Sequence, residues 1–261
     1  MPETPAFQSP LWLALLNAVL MVLAWRFGFA RTHRISEDEK QARTRHAGAL
    51  VQWVLGLLGL LQAFSFGTVY SKYESRRMAT AIEANAISTF STRLELLPDE
   101  KRRPATEQLA QYVRLHRAAV GPGIDLAERL RIDAEIHRLQ NGLKELVLTH
   151  VKTPAGAPYT VALVPPMDVM FDQYESRIAG LTSHVPAVVM GLLLFVSMLA
   201  AHVIGRAEGL ARSSPPRETL LFVALVSVVS YAILDLDRPW AGLSRVSELP
   251  MERLEQRLMQ D

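Results

Sequence analysis

Two carboxylates and an arginine interrupt an apolar segment near the C-terminus. Asp235, Asp237 and Arg238 follow a run of apolar residues that begins at Thr219 and is almost unbroken. The C-terminal end of a helix has a partial negative charge, so acidic side chains are locally unfavourable there. Three explanations are open: an ion pair with a basic residue elsewhere, a charge that marks the edge of a membrane, or a cation site.

The spacing of these acids favours the ion pair. On a continuing helix, two residues that are two positions apart diverge by about 200°, which is poor geometry for two ligands of one metal. Pro239 biases the residue before it away from helical geometry, and in such an irregular exit the acids could converge on a cation with backbone carbonyls. Basic partners are available at Arg76 and Arg77. We predict a structural ion pair here, and neither a metal nor another cofactor.

A second polar pattern lies within another apolar segment. Gln62, Ser65 and Thr68 recur at intervals of three residues, with Phe64 and Phe66 between them. Polar groups inside a membrane span prefer protein or water to lipid. The pattern could therefore line a conduit, or it could form hydrogen bonds across packed helices.

A charged segment follows that apolar segment directly. Tyr70 suits an interfacial position, and Lys72 suits the lipid headgroup zone. Glu83 and Asn85 come slightly later. Two interpretations are open for them: a solvated helix with ion pairs to other helices, or a polar vestibule below a pore.

The polar residues described above lie in or next to long apolar stretches of the sequence. Four stretches approach bilayer length and end in charge: residues 11–30, 47–70, 185–205 and 219–236. Residues 71–184 contain 15 Lys plus Arg and 14 Asp plus Glu, a density typical of a solvated domain. We predict an all-α integral membrane protein with four transmembrane helices in two pairs. The predicted divisions are 1–70, 71–184, 185–236 and a C-terminal tail of 237–261.

The charged middle segment is predicted to be helical. The second span continues towards residue 97 as one long helix, and further helices cover about 105–120, 125–151 and 167 onwards, with a Pro-rich break at 152–166. Apolar residues recur at helical spacing on the 125–151 helix, as they do on its neighbours. These stripes predict packing seams.

Composition excludes several functions. There are no cysteines, which excludes disulfides, thiolate metal sites and Cys nucleophiles, and the net charge of +2 gives no argument for nucleic-acid binding. No short enzyme motif is present, and no span contains a pair of histidines for haem. We therefore predict that the protein is not an enzyme. Nine Lys and Arg near the ends of the short loops, against six on the other side, leave the membrane orientation open.

Several stretches together resemble the bestrophin-like domain family of bacterial integral membrane proteins. They are EANAI at 83–87, LLP at 96–98, ESRIAGLTSHVP at 175–186 and DLDRP at 235–239. The similarity extends from about His46 to near the C-terminus. Glu248 stands where the family pattern has a glutamine, and Trp240 and Ala241 lie in a variable part.

The resemblance implies the arrangement of true bestrophins, which are pentameric anion channels with paired spans flanking a long helical cytosolic segment. It places the protein in the bacterial plasma membrane with residues 71–184 in the cytoplasm. The larger number of Lys and Arg near the short loops favours the opposite orientation, with those loops in the cytoplasm. True bestrophins line their constriction with apolar residues of the second span, for which Leu57, Leu61 and Phe64 are the nearest candidates here.

We therefore predict a homo-oligomeric channel, with a pentamer and anions as the implied subunit number and ion class. Its partners are the bilayer, further copies and small ions, with no nucleic acid. The predicted pore residues are Leu57, Leu61, Gln62, Phe64, Ser65 and Thr68. The alternative is a non-conducting scaffold or sensor whose helical domain binds a partner protein, which apolar positions on an exposed face of the 124–151 helix would favour.

Overall fold

The computed structural model describes residues 10–32, 37–119, 124, 126–211, 216–238 and 243–259, without the side chains of 37–45, 126 and 216. All regular structure in this part of the chain is helical, which confirms the all-α class. The helices are α1 (Pro10–Arg31), α2 (Glu37–Leu94), α3 (Asp99–Ala119), α4 (Leu126–Val151), α5 (Thr160–Thr182), α6 (Ala187–Ala211), α7 (Pro216–Asp237) and α8 (Leu249–Leu258). A short 3₁₀ helix, Ala157–Tyr159, precedes α5.

Four helical segments are long and apolar enough to cross a membrane, as predicted. They are Pro10–Arg31, His46–Leu94, Ala157–Ala211 and Arg217–Asp237. The 58 residues of α2 measure about 87 Å, far more than the roughly 30 Å of a hydrocarbon core. A hydrocarbon core can therefore cover only part of this helix, and the apolar residues of α2 are concentrated at 47–70.

The first compact unit comprises Met1–Lys72 and His184–Ser244. In this unit α1 packs closely against α6 and also contacts α7. The close approach requires glycine: a Cβ on Gly205 would lie 2.2 Å from the carbonyl oxygen of Trp25, and one on Gly28 would lie 2.2 Å from that of His202. Small residues therefore set the distance between these two helices.

The second compact unit comprises Tyr73–Ser183 and Arg245–Asp261. Its core is built from large, fully buried side chains of several helices, including Phe90, Tyr112, Ile136, Leu143 and Met170. Helix α8, which the sequence did not predict, packs against α3 through the amphipathic set Met251, Leu254 and Leu258. The end of the predicted tail is thus part of this unit.

Two helices begin earlier than predicted. Helix α3 begins at Asp99 and contains Pro104, and α5 begins at Thr160 and contains Pro165 and Pro166. The predicted break over residues 152–166 is therefore too long. A proline removes one hydrogen bond and crowds the preceding turn. Here each proline falls in the second turn, and the fully buried residues that follow compensate for that cost by packing into the core.

Candidate functional site

The apolar part of α2 is the least buried of the four spans. Only 11% of its most apolar window is buried within the chain, against 22% for the first span and 33% for each of the other two. The buried positions form one narrow stripe at spacings of four and seven residues: Val54, Leu58, Ser65 and Val69. Half-buried residues such as Leu55 and Leu61 flank this stripe, and most of the remaining helix surface is exposed.

The structure divides the six predicted pore residues between different faces of α2. Leu57 and Phe64 are 48% and 71% exposed, whereas Ser65 is only 2% exposed. The hydroxyl of Thr68 donates to the Phe64 carbonyl at 3.0 Å, within the same helix. The half-buried members are Leu61, Gln62 and Thr68. One exposed face is instead apolar and contains Trp53, Leu57, Leu60 and Phe64.

A neighbouring exposed face of α2 consists of small residues, which the sequence analysis missed. Gly56, Gly59 and Gly67 have open space where a Cβ would lie, and Ala63 between them is exposed. Intervals of three and four residues place all four on one side of the helix. Such spacing lets a second helix approach closely in a membrane. The signal was present in the printed sequence, in GLLGLLQAFSFG.

At the end of α7, Asp235 receives backbone donors. The N–H groups of Leu243 and Ser244 donate to its two carboxylate oxygens, each at 2.9 Å, and the Tyr231 hydroxyl donates to Oδ1 at 3.3 Å. The backbone N–H of Arg238 donates to the Asp235 carbonyl at 3.2 Å. Asp235, only 2% exposed, therefore holds the chain that follows the helix. Among the described residues, no group of three or more His, Asp and Glu side chains could hold a metal.

Asp237 ties the end of α7 to the beginning of the third span. Its Oδ1 accepts the N–H of Val185 at 2.9 Å, and its Oδ2 lies 3.5 Å from Nδ1 of His184. The Lys72 ammonium donates to the His184 carbonyl at 2.8 Å. Asp237 therefore fixes the entry into α6 through the backbone just before that helix.

The two predicted arginine partners differ in their surroundings. Arg76 is 3% exposed and donates to the carbonyls of Gly180 and Ser183, at 3.0 and 2.7 Å, at the C-terminal end of α5. Arginine suits this position because the last carbonyls of a helix lack partners within it. Arg77 is largely exposed and lies 3.6 Å from Glu74. Pairing of either arginine with Asp235 or Asp237 stays a prediction.

A buried ion cluster, formed by Glu83, His116, Arg177 and Glu248, lies inside the second unit. Arg177 Nη1 donates to Glu83 Oε2 at 3.0 Å and to His116 Nδ1 at 2.9 Å, and Nη2 donates to Glu248 Oε1 at 2.7 Å. A guanidinium can only donate, so Nδ1 of His116 accepts and its ring proton is on Nε2. That Nε2 lies 3.1 Å from Glu83 Oε1, although the angle is unsuitable for a hydrogen bond.

Burial governs the charges in this cluster. It raises the pKa of Glu83 to about 7 even though Arg177 acts to lower it, and it raises the pKa of Glu248 in the same way. Burial, with the charge of Arg177, lowers the pKa of His116 well below its usual value. Two acids thus share one arginine beside a neutral imidazole. With both acids ionised, the cluster has a net charge of −1, and the uptake of one proton by Glu83 would bring that charge to zero.

The predicted vestibule residues are separated in this structure. Glu83 is fully buried in the cluster, and Asn85 is exposed. A vestibule role for them stays a prediction. The sequence analysis missed Arg177, although it occupies a core position on α5 with Tyr174 and Leu181. A charged residue at an apolar stripe position was the available signal for a buried ion pair.

Comparison with known proteins identifies the family. The model of the Bestrophin-like domain matches residues 11–251. One similar solved structure is that of a mutant bacterial bestrophin homologue from Klebsiella pneumoniae, with a TM-score of 0.67 and 14% identity over 94% of this chain and 97% of that one. No curated protein matches the chain. The structural similarity shows a shared fold, and the family match covers nearly the whole sequence, so the chain belongs to the Bestrophin-like domain family.

Proposed function

We propose that this chain is one subunit of a homo-oligomeric membrane channel in which α2 lines the axis. The observation that supports this most directly is the small buried fraction of α2 in its own subunit. Membership of the Bestrophin-like family and the fold shared with a bestrophin homologue support a channel-type function. We propose small anions as the permeant class and the bacterial inner membrane as the location.

The exposed faces of α2 fit the geometry of a ring. A helix next to a central axis contacts its own subunit on one side, neighbouring copies on its flanks and the lumen on the remaining side. The small face around Gly59 and Gly67 suits close contact with a neighbouring helix. The apolar face with Leu57 and Phe64 then provides the constriction, as the family resemblance implies.

The domain division follows from the same proposal. The spans at about 11–30, 47–70, 185–205 and 219–236 cross the bilayer, residues 71–184 form the helical extramembrane domain, and residues 237–261 form the C-terminal tail. Pentameric assembly is the subunit number that the resemblance implies.

The alternative function, a non-conducting scaffold or sensor, has little structural support. It would be favoured by an apolar face on α4 without a partner in the chain. Of the apolar stripe predicted there, Leu130 is 62% exposed, contrary to the prediction, whereas Ile136, Leu143 and Val147 are buried in the core. One exposed leucine is ordinary for a protein surface.

Current recordings in planar bilayers, together with the mass of the purified protein in detergent, test the proposal. Phe64→Ala should enlarge the single-channel current because it widens the proposed constriction. Leu225→Ala is a matched control, since that side chain is similarly exposed, at 63%, on α7. A monomeric mass, or silence across several salts and pH values, would contradict the channel.

Gly59→Leu tests the assembly separately. The added side chain should block the close approach of a neighbouring helix and shift the protein towards monomers in detergent. Gly180→Leu, on α5, is the control because it also has open space where a Cβ would lie. Unchanged oligomer mass in Gly59→Leu would remove the small face of α2 from the subunit interface.

A further inference from the structure

The buried ion cluster of the second unit contains more acidic than basic groups. Glu83 and Glu248 both accept hydrogen bonds from Arg177, and His116 is neutral because its Nδ1 also accepts from that guanidinium. Two carboxylates that share one cation in a buried site repel each other. The cluster can remove this repulsion by binding a proton or by releasing one carboxylate into water.

The hydrogen bonds of the cluster show the same excess of acceptors. Oε1 of Glu83 and Oε2 of Glu248 are buried and accept no hydrogen bond from the described residues. A buried acceptor without a donor is unfavourable. One added proton supplies a donor at this site and cancels the extra negative charge.

The two acids differ in how easily they can reach water. Glu83 is fully buried within the long α2 helix, whereas the side chain of Glu248 is 18% exposed and lies at the N-cap of α8. In the described part of the chain, the side chains of residues 245–247 make no hydrogen bond or ion pair with a helix other than α8. By contrast, Met251 and Leu254 anchor α8 itself in the core. Glu248 and the residues before it are therefore the part that can move.

Other titratable and charged side chains around the cluster come from α3, α4, α5 and α8. They are Tyr112, Arg117, Asp133, His137, Tyr174, Glu252 and Glu255. Burial raises the pKa of both tyrosines above the ordinary value, so they stay neutral near pH 7, and the two α8 acids pair with Arg117. Histidine ordinarily changes charge near neutral pH, so His137 requires a control variant.

We propose that proton binding by this cluster controls the docking of Glu248 and of residues 245–247 before it. In the protonated state Glu83 is neutral, and Glu248 pairs with Arg177. When the proton leaves to water, repulsion moves Glu248 into solvent, and Arg177 pairs with Glu83 alone. Helix α8 stays docked in both states through its apolar residues and Arg117. The proposal is independent of ion conduction.

Spin labelling of the full-length protein in detergent tests this docking. The chain has no cysteine, so Ser247→Cys, at an exposed position, provides a single labelling site. Electron paramagnetic resonance spectra separate mobile from immobile label between about pH 6 and pH 9. Glu83 has a pKa of about 7 in the docked form, so the ratio of mobile to immobile label should rise by up to about tenfold for each pH unit above 7. A constant ratio over this range would overturn the proposal.

A second label position and three variants assign the effect to the cluster. A label at Met259→Cys, directly after the buried Leu258, should not respond to pH because α8 stays docked. Glu83→Gln and Glu248→Gln each leave one acid for one arginine, so the label at position 247 should stay immobile throughout. His137→Gln, the control, should keep the pH dependence. Its survival in both glutamine variants of the cluster, or its loss in His137→Gln, would contradict the proposal.

Discussion

The two compact units provide different partners for their buried acidic side chains. In the first unit, Asp235 accepts two backbone N–H groups and a hydroxyl. In the second unit, Glu83 shares Arg177 with Glu248 and faces a neutral His116. Backbone donors are neutral and local, so Asp235 fixes the path of a few residues. The arginine joins side chains that are up to 165 positions apart along the chain, so it connects distant segments of the second unit.

The two sites also differ in whether their groups gain or lose protons near neutral pH. The donors around Asp235 are two backbone N–H groups, which do not titrate, and the Tyr231 hydroxyl, a phenol that stays protonated near neutral pH. The buried ion cluster contains two acids and a histidine, and Glu83 has a pKa of about 7. We therefore expect the second unit to respond to pH near neutrality through this cluster. Three measurements test this difference between the two units.

The largest effect is expected from Arg177→Met. It leaves Glu83 and Glu248 buried without their cation, which typically costs about 3–5 kcal/mol of unfolding free energy. Hydrogen exchange of the amides of α3 to α5 measures the loss within the second unit. Arg138→Met is the control, because that side chain is 75% exposed and pairs with Glu135 at the surface, where a loss of less than about 1 kcal/mol is expected. Similar losses in both variants would mean that the buried ion cluster adds no stability.

The next-largest effect is a change in unfolding free energy with pH, to which Glu83 and His116 contribute in opposite directions. Glu83 has a pKa of about 7 in the folded chain against 4.5 unfolded, so its contribution to stability grows as pH falls from 7 to 4.5. The difference between these two pKa values amounts to about 3 kcal/mol of unfolding free energy at most. His116 has the opposite effect: its pKa is lowered from 6.5, so its contribution is lost as pH falls below 6.5. Arg177, which lowers the pKa of Glu83, and Glu248, which raises it, are the other charged groups that act on this carboxyl.

Single variants separate the two contributions. Relative to the unmodified chain, Glu83→Gln should become less stable as the pH is lowered from 6.5 to 4.5, because the stabilising protonation of Glu83 is lost while the histidine effect remains. His116→Gln should become relatively more stable over the same range. Urea unfolding monitored by exchange of the α3 and α4 amides at several pH values measures both. Parallel curves for the two variants would contradict the assignment.

The smallest effect is expected from Asp235→Asn. The amide keeps one acceptor oxygen but turns an N–H₂ group towards one of the two backbone donors, so we expect a loss of about 2 kcal/mol. Thermal unfolding followed by tryptophan fluorescence reports on the first unit, where Trp12, Trp25 and Trp53 lie. An unchanged unfolding temperature would mean that the chain after α7 is held by something other than Asp235.

Much of the fold could be predicted because apolar length and periodicity are local properties. The four spans, the long continuous α2 and the core positions of α3 to α5 follow from runs and intervals of apolar residues. Helix ends near proline were predicted less well. The structure shows that Pro104, Pro165 and Pro166 are tolerated where later residues are fully buried, which a local rule cannot include.

The candidate sites were predicted unevenly for a related reason. Exposure of Leu57 and burial of Ser65 depend on which side of α2 meets its own subunit, and only packed neighbours decide that. The spacing of the small residues of α2 can be seen in the sequence. Their exposure can be seen only in the structure. The partners of Glu83 come from α3, α5 and the start of α8, and no interval along the chain connects them.

The sequence by itself determined that this is an all-helical membrane protein of the Bestrophin-like family, because hydrophobic length, charge density and short motifs are read along one dimension. Only the tertiary structure decided which face of α2 is uncovered, and that Arg177 joins two acids and a histidine. Each of these depends on distances between residues far apart in the chain, and folding alone sets those distances.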